Sequence, residues 1–263
     1  MARICPLFSG STGNSTYIGT KYGGLLVDAG ASARALCETI ERAGGSYEEI
    51  AAVAVTHEHI DHIKGLKPIL NKTGAVLIAS SETAAALADK IPAGTSVITL
   101  GDNGTKSAEI AGMEITRFAT SHDCAGSSGF VFTLSDGRKI AVCTDLGVVT
   151  DGVRSALRGC DTVLIESNHD IEMLKKGPYP PELKLRIMSE RGHISNNACA
   201  AELPALLQSG TKRIILGHLS LKNNSPMLAQ SCAEAALIDI GAENGRDYIL
   251  TVAAPTENRV TVL

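Results

Sequence analysis

The chain has 263 residues, 44% apolar and 20% charged, with a formal net charge of −4 and no Trp. That apolar share supports a packed core and excludes a disordered chain, and no apolar run reaches the roughly 18 residues of a membrane-spanning helix. A mildly acidic chain has no bulk attraction for nucleic acid, so an anionic ligand must be met by a local patch.

The N-terminal residues lack the apolar core of a signal peptide. Seven Cys, an odd number with no C-x-x-C spacing, fit free buried thiols in a reducing compartment rather than disulfides or a thiolate metal site. The expected location is the cytoplasm.

In chain order, residues 4–8 read as a strand, Ser9-Gly10-Ser11-Thr12-Gly13-Asn14-Ser15 as a turn, and 16–18 as a second strand. A third strand, 25–27, ends in Asp28-Ala29-Gly30. Helical spacing covers 32–43, with Ser32 as its cap and Gly44 past its end. The β-rich run 50–56 ends at His57. A short helix at 66–71, a strand at 76–79 and an Ala-rich helix at 82–90 follow, then strands at 97–100, 109–110 and 113–120. From here the order restarts. Residues 129–134 and 139–144 form a hairpin around Asp136-Gly137, and its second strand ends in Asp145-Leu146-Gly147. A helix near 150–158 leads to a strand at 162–165 that ends in Glu166-Ser167-Asn168-His169. The shared order of strand, Asp-x-Gly, helix, strand and His-bearing loop is an internal pseudo-duplication. No Pro- or Ser-rich linker separates the halves, so a single domain over 1–263 is expected. Its class is α/β (α+β), two packed sheets with helices outside.

The strongest chemical signal is Thr56-His57-Glu58-His59-Ile60-Asp61-His62, directly after a strand. In extended backbone, residues two apart point the same way, so His57 and His59 can grip one cation. As the chain turns, Asp61 and His62 face a second. Imidazoles with a carboxylate suit Zn²⁺, Mn²⁺ or Fe²⁺. Three further candidates stand after strands: His122, Asp145 and His218. Together they complete two sites, His57, His59 and His122 for one ion and Asp61, His62 and His218 for the other, with Asp145 bridging both. A bridging water would lose a proton near neutral pH and serve as the nucleophile, which makes Asp61 part of the catalytic apparatus as well as a ligand.

The string 57–62, with Asp28, His122, Asp145 and His218 in matching order, resembles the metallo-β-lactamase superfamily over nearly the whole chain. The resemblance implies a four-layer αββα sandwich with a dinuclear metal site at its edge. It also implies that Asp28 orients the metal-binding loop from behind the ligands. Within the superfamily, the Ser9–Ser15 stretch, Glu166-Ser167-Asn168-His169-Asp170, Gly192-His193-Ile194-Ser195-Asn196 and His218-Leu219-Ser220 resemble the bacterial YycJ/WalJ group. That group implies a metal-dependent nuclease, a 5′-to-3′ DNA exonuclease.

The residues themselves add a weaker pointer to phosphoester chemistry. Between 170 and 222, Lys and Arg outnumber Asp and Glu by eight to five, a local basic segment that suits DNA or another phosphodiester. His193 precedes a helix start at Ser195 or Asn196, where backbone N–H groups can hold a phosphate oxygen. His193 or His169 can protonate the leaving oxygen. Ser11, Asn14, Asn168, His193 and Ser195 are the candidate substrate contacts, although a plain hairpin turn also accounts for 9–15. Two other functions share these residues: hydrolysis of a thioester or a small or cyclic phosphodiester, and a non-catalytic metal-bound regulatory module.

Overall fold

The computed structural model describes residues 2–101, 104–256 and 258–263. The first half opens with three antiparallel strands, β1 (Arg3–Phe8), β2 (Ser15–Thr20) and β3 (Gly23–Val27). Helix α1 (Ala33–Arg42), capped by the Ser32 hydroxyl, carries the chain to β4 (Ile50–Ala54), which pairs parallel to β3. Then come α2 (Ile60–Ile63), α3 (Leu66–Thr73), β5 (Val76–Ala79), α4 (Ser81–Ala86) and β6 (Val97–Thr99), with β5 and β6 extending the parallel part.

The second half repeats this plan. Strands β7 (Ser107–Ile110), β8 (Met113–Ala119), β9 (Ser128–Leu134) and β10 (Lys139–Cys143) are antiparallel. After α5 (Asp151–Leu157) the sheet turns parallel with β11 (Thr162–Glu166). Two short helices, α6 (Ile171–Lys176) and α7 (Pro181–Ile187), precede α8 (Asn196–Gln208). Strand β12 (Arg213–Gly217), α9 (Pro226–Ile238) and β13 (Ile249–Val252) complete the sheet, and β14 (Thr261–Val262) crosses to β1. The two sheets run β14-β1-β2-β3-β4-β5-β6 and β13-β12-β11-β10-β9-β8-β7. Each therefore changes from antiparallel to parallel at the strand that ends in Asp-x-Gly, which is the pseudo-duplication in three dimensions.

Strand period two builds the layers. Leu25, Val27, Ala52, Ala54 and Ile78 face across to Phe130, Phe132, Ile140, Val142 and Leu164, forming the core between the sheets. Their alternates point outward. Leu26, Val53 and Leu77 pack on Leu36, Ile40 and Ile69 of α1 and α3. Val163, Ile165, Ile214 and Leu216 pack on Val153, Leu203 and Leu237 of α5, α8 and α9. The order is helices, sheet, sheet, helices. Strands buried on both faces read as continuous apolar runs, as in the TVLIE of β11 and the RIILG of β12.

One expected element is shorter than its sequence suggests. The helix expected over 82–90 ends at Ala86, and Leu87 and Lys90 continue as tight i→i+3 turns. Pro92 then disfavours helical backbone at Ile91, so these turns do not resume an α-helix. All seven cysteines are free thiols. Among the described residues, no helix is long and apolar enough to cross a membrane.

Candidate metal centre

Three strand ends deliver their side chains by the same device. Asp28 follows β3, Asp145 follows β10 and His218 follows β12, and their φ angles are 64°, 58° and 55°. Left-handed backbone at a non-glycine residue costs about 1–3 kcal/mol and persists only where the surroundings hold it. Here it turns each chain sharply off its sheet, so that the side chain drops onto a common point at the sandwich edge.

The loop after β4 meets them there. Candidate donor atoms of His57, His59 and His122 lie within 4.8 Å of one another, as do those of Asp61, His62 and His218. The donors of His57, His62 and Asp145 form a third such group, so Asp145 stands between the two triads. His57 Nε2 is 3.0 Å from His59 Nδ1, and Asp145 Oδ2 is 3.4 Å from His62 Nε2.

The opposite ring nitrogens are tied to protein acceptors. His62 Nδ1–H donates to Asp28 Oδ2 at 2.8 Å, and His218 Nδ1–H to Glu166 Oε1 at 2.6 Å. His122 Nδ1–H donates to the Gly192 carbonyl at 3.0 Å, and His57 Nδ1–H to the Thr56 hydroxyl oxygen at 3.0 Å. Thr56 in turn donates its N–H to Asp28 Oδ1 and its O–H to Asp28 Oδ2, both at 2.8 Å. Holding a proton on Nδ1 leaves Nε2, which points inward, as the nitrogen that can ligate once it is deprotonated, as metal-bound histidines require. Asp28 therefore reaches His62 directly and His57 through Thr56.

The residues fit a metal on two counts. His218 Nε2 and Asp145 Oδ2 are buried with no hydrogen-bond partner in the protein. Leaving such atoms unsatisfied costs about 1–3 kcal/mol each, more when charged, so a cation between them answers an outstanding demand. Electrostatics agree. Burial alone would disfavour the Asp145 carboxylate, but the surrounding imidazoles, His218 and His62 foremost, hold it well below its ordinary range. Burial and its imidazole neighbours push His57 well below its ordinary value, and burial lowers His122, so both favour the neutral, ligating form.

Residues 24–219 match the family model of the beta-lactamase superfamily domain. The chain belongs to the metallo-β-lactamase superfamily. It is 38% identical to "Exodeoxyribonuclease YycJ" of Bacillus anthracis over 92% of this chain and 91% of that protein. It is 36% identical to "Exodeoxyribonuclease WalJ" of Streptococcus pneumoniae serotype 2, over 95% and 93%. The metallo-β-lactamase-fold protein YhfI from Bacillus subtilis superposes with a TM-score of 0.71 at 14% identity, covering 99% of this chain and all of that one.

As a superfamily member, the chain carries its cleft over the ligand cluster. A cavity of about 310 Å³ is lined by Asp61, His122, Asp145, His193 and His218 on its floor, and by Ser11, Asn168, Tyr179, Arg186 and Ser220 around them. His193 donates from Nδ1 to Glu166 Oε1 at 2.8 Å. The other expected contacts are disposed differently. His169 is buried and does not line this cavity. The Ser195 hydroxyl caps α8 by accepting from Ala198 N–H. Asn14 is folded inward, its amide oxygen accepting from Gly10 N–H and its amide nitrogen 3.0 Å from His62 Nε2. The cations of the basic segment are partly paired. Lys175 and Lys176 meet Glu172, and Arg186 forms a two-bond pair with Asp123, Nη2 to Oδ1 at 2.9 Å.

Sequence reasoning left Glu166 and Thr56 without roles. Glu166 is fully buried, and its second oxygen accepts the N–H groups of Leu146 and Ile194. Its signal was a carboxylate closing the apolar run of β11, a place where a charge has to have partners. Thr56 sits at the matching place after β4.

Proposed function

We propose that this chain is a metal-dependent phosphodiesterase that degrades DNA from an end in the 5′-to-3′ direction. The observation that carries the reading is its 36–38% identity, over more than nine-tenths of its length, to proteins named exodeoxyribonucleases. The ligand cluster supports the same chemistry. Two divalent ions, Zn²⁺ or Mn²⁺, suit the donor set. His57, His59 and His122 would hold one, Asp61, His62 and His218 the other, and Asp145 would lie between them. Bound ions supply Lewis acidity, which activates water near neutral pH and offsets charge on a phosphate.

The protein's own groups do the rest. Asp28 and Thr56 fix ring orientations. His193 reaches the cleft with its Nδ1–H held by Glu166, which leaves Nε2 to carry a proton to the departing oxygen or to grip the scissile phosphate. Ser11, Asn168 and Arg186 line the approach and would meet the strand there.

The test is digestion of end-labelled DNA with either the 5′ or the 3′ terminus blocked, in Mn²⁺ and in Zn²⁺. Stepwise shortening that a 5′ block abolishes and a 3′ block does not is the expected result. A protein that cleaves a thioester or a small phosphodiester but leaves DNA intact would overturn the reading.

A further inference from the structure

The lining of the cleft over the ligand cluster is of two kinds. Beside the candidate ligands stand polar groups such as Ser11, Asn168 and Ser220, but Ile60, Tyr179, Leu183 and Ile187 also line it and make part of it apolar. We propose that Tyr179 is the platform on which the base of the terminal nucleotide stacks while its phosphate lies at the metal centre; the inference rests on the nuclease reading above.

The apolar part is organised by α7. Tyr179, Leu183 and Ile187 are four residues apart, so Leu183 and Ile187 share a face of the helix and Tyr179 leads into it. A short surface helix ordinarily turns its apolar stripe into the core. Here the stripe borders the cleft. Ile60 joins it from the metal-binding string. It stands between the candidate ligands His59 and Asp61, yet its aliphatic side chain is 71% exposed. An occupant with an apolar face would take that surface out of water.

Tyr179 is also held in place. It lies in Gly177-Pro178-Tyr179-Pro180-Pro181, where the prolines fix their own φ angles and Pro180 keeps Tyr179 extended. Gly177 and Pro180, on either side, have extended backbone. A β-carbon on Gly177 would collide with the Asn223 side chain and the Met173 carbonyl, so the stretch is pressed against its neighbours. Lys184 Nζ donates to the Lys175 carbonyl at 2.7 Å and joins α7 to α6. At the far end of α7, the Ile187 carbonyl accepts His193 N–H at 2.9 Å. One helix thus carries the platform and braces the candidate acid. A ring presented by stiff backbone needs little ordering when a ligand arrives, which preserves affinity.

The chemistry of the lining identifies the occupant. Apart from imidazoles, Tyr179 is the one aromatic side chain among the described lining residues. It is half-buried, and among the described residues its hydroxyl has no hydrogen-bond partner. A nucleotide has the same two kinds of surface, an anionic phosphate and a flat base. Bases stack on aromatic rings whatever their identity, because each offers a π face. A cavity of about 310 Å³ is at the small end of ligand sites and has room for one nucleotide unit rather than a run of them.

The test uses the metal-loaded full chain and its Tyr179→Ala and Tyr179→Phe variants. The substrates are two single strands, one natural and one with an abasic unit at the end that the enzyme attacks. The quantity read is kcat/KM for release of the first unit. Loss of a base–aromatic stack should lower it by about 5- to 100-fold for Tyr179→Ala on the natural end, and by a similar factor for the wild type on the abasic end. Tyr179→Ala should lose nothing further on the abasic end, since the partner is already gone. Tyr179→Phe, which keeps the ring, should stay near the wild type on both. A wild type indifferent to the missing base, equal losses for Tyr179→Ala on the two ends, or a Tyr179→Phe as impaired as Tyr179→Ala would overturn the platform and leave the nuclease reading standing. The first of these comparisons needs no variant to fold. A wild-type protein that degrades neither strand would overturn both.

Discussion

Glu166 and His193 are joined by a hydrogen bond of 2.8 Å, and the carboxylate oxygen that accepts it also accepts His218 Nδ1–H at 2.6 Å. One buried group thus orients a candidate metal ligand and the candidate acid together. Burial works against its charge, but the His193 and His218 imidazoles outweigh that and hold it below the usual carboxylate range. The ionised form is the one that keeps both protons on Nδ1.

Replacing Glu166 with Gln tests this coupling. The Leu146 and Ile194 N–H groups demand an oxygen, so the new amide turns its NH₂ toward the two imidazoles. Their protons must then move to Nε2, where His218 can no longer ligate. Metal content should fall to about one ion per chain, and activity by about 10–100-fold or more. Elemental analysis and phosphodiester kinetics read both. Two retained ions with full activity would exclude the tautomer account.

Gly30→Ala should show how tightly the metal loop is braced from below. Gly30 N–H donates to the Asn14 carbonyl at 2.8 Å, and Asn14 N–H donates to the Asp61 carbonyl at 2.7 Å. A β-carbon on Gly30 would collide with that Asp61 carbonyl and with the Asn14 nitrogen. Overpacking of this kind costs about 1–3 kcal/mol or more. The melting temperature should drop by about 3–10 °C for a chain of this size, with weakened metal retention. Gly152→Ala is the control: it lies in α5 with only Thr150 Oγ1 nearby, at 3.6 Å. That change should leave the melting temperature unchanged or raise it.

What the sequence made legible here is local, and what it hid is long-range. The apolar runs that become β3, β4, β10 and β12 are short and end abruptly, so the positions of Asp28, His57, Asp145 and His218 at one edge of the sandwich could be read from order alone. The repeat of Asp-x-Gly likewise announced two similar sheets. By contrast, Glu166 acquires its partners from His193 and His218, 27 and 52 residues away. No spacing rule encodes those bonds. The inward turn of Asn14 is hidden for the same reason, because it depends on the loop carrying Asp61 and His62.

Metal loading should release protons unevenly. In the metal-free protein, burial pushes His62 down, but Asp145 and Asp28 outweigh it and raise its pKa to about 10. His218 rises to about 9 in the same way, through Asp145 and Glu166. Both are doubly protonated at pH 7, and coordination requires the neutral ring. His57 and His122 are shifted the other way and are already neutral. Filling the Asp61, His62 and His218 site should therefore expel about two protons, and its affinity should climb with pH until about pH 9–10. His57 and His122 should release no protons on binding above pH 7. Calorimetric titration with Zn²⁺ in buffers of different ionisation enthalpy measures this, and proton release near zero at both sites would contradict it.

His193→Ala separates proton donation from phosphate binding. The side chain lines the cleft and commits its Nδ1–H to Glu166, so its removal should leave metal content intact. If Nε2–H protonates the leaving oxygen, cleavage of DNA should fall by about 10²–10⁴-fold. A nitrophenyl phosphodiester, whose leaving group needs little protonation, should lose far less. Equal losses on the two substrates would instead assign His193 to gripping the phosphate, since that contact is the same in both. Loss of metal from the variant, or unchanged DNA cleavage, would remove His193 from either role. His193→Gln, which offers a hydrogen bond but no titratable proton, should likewise leave DNA cleavage low if the role is proton donation.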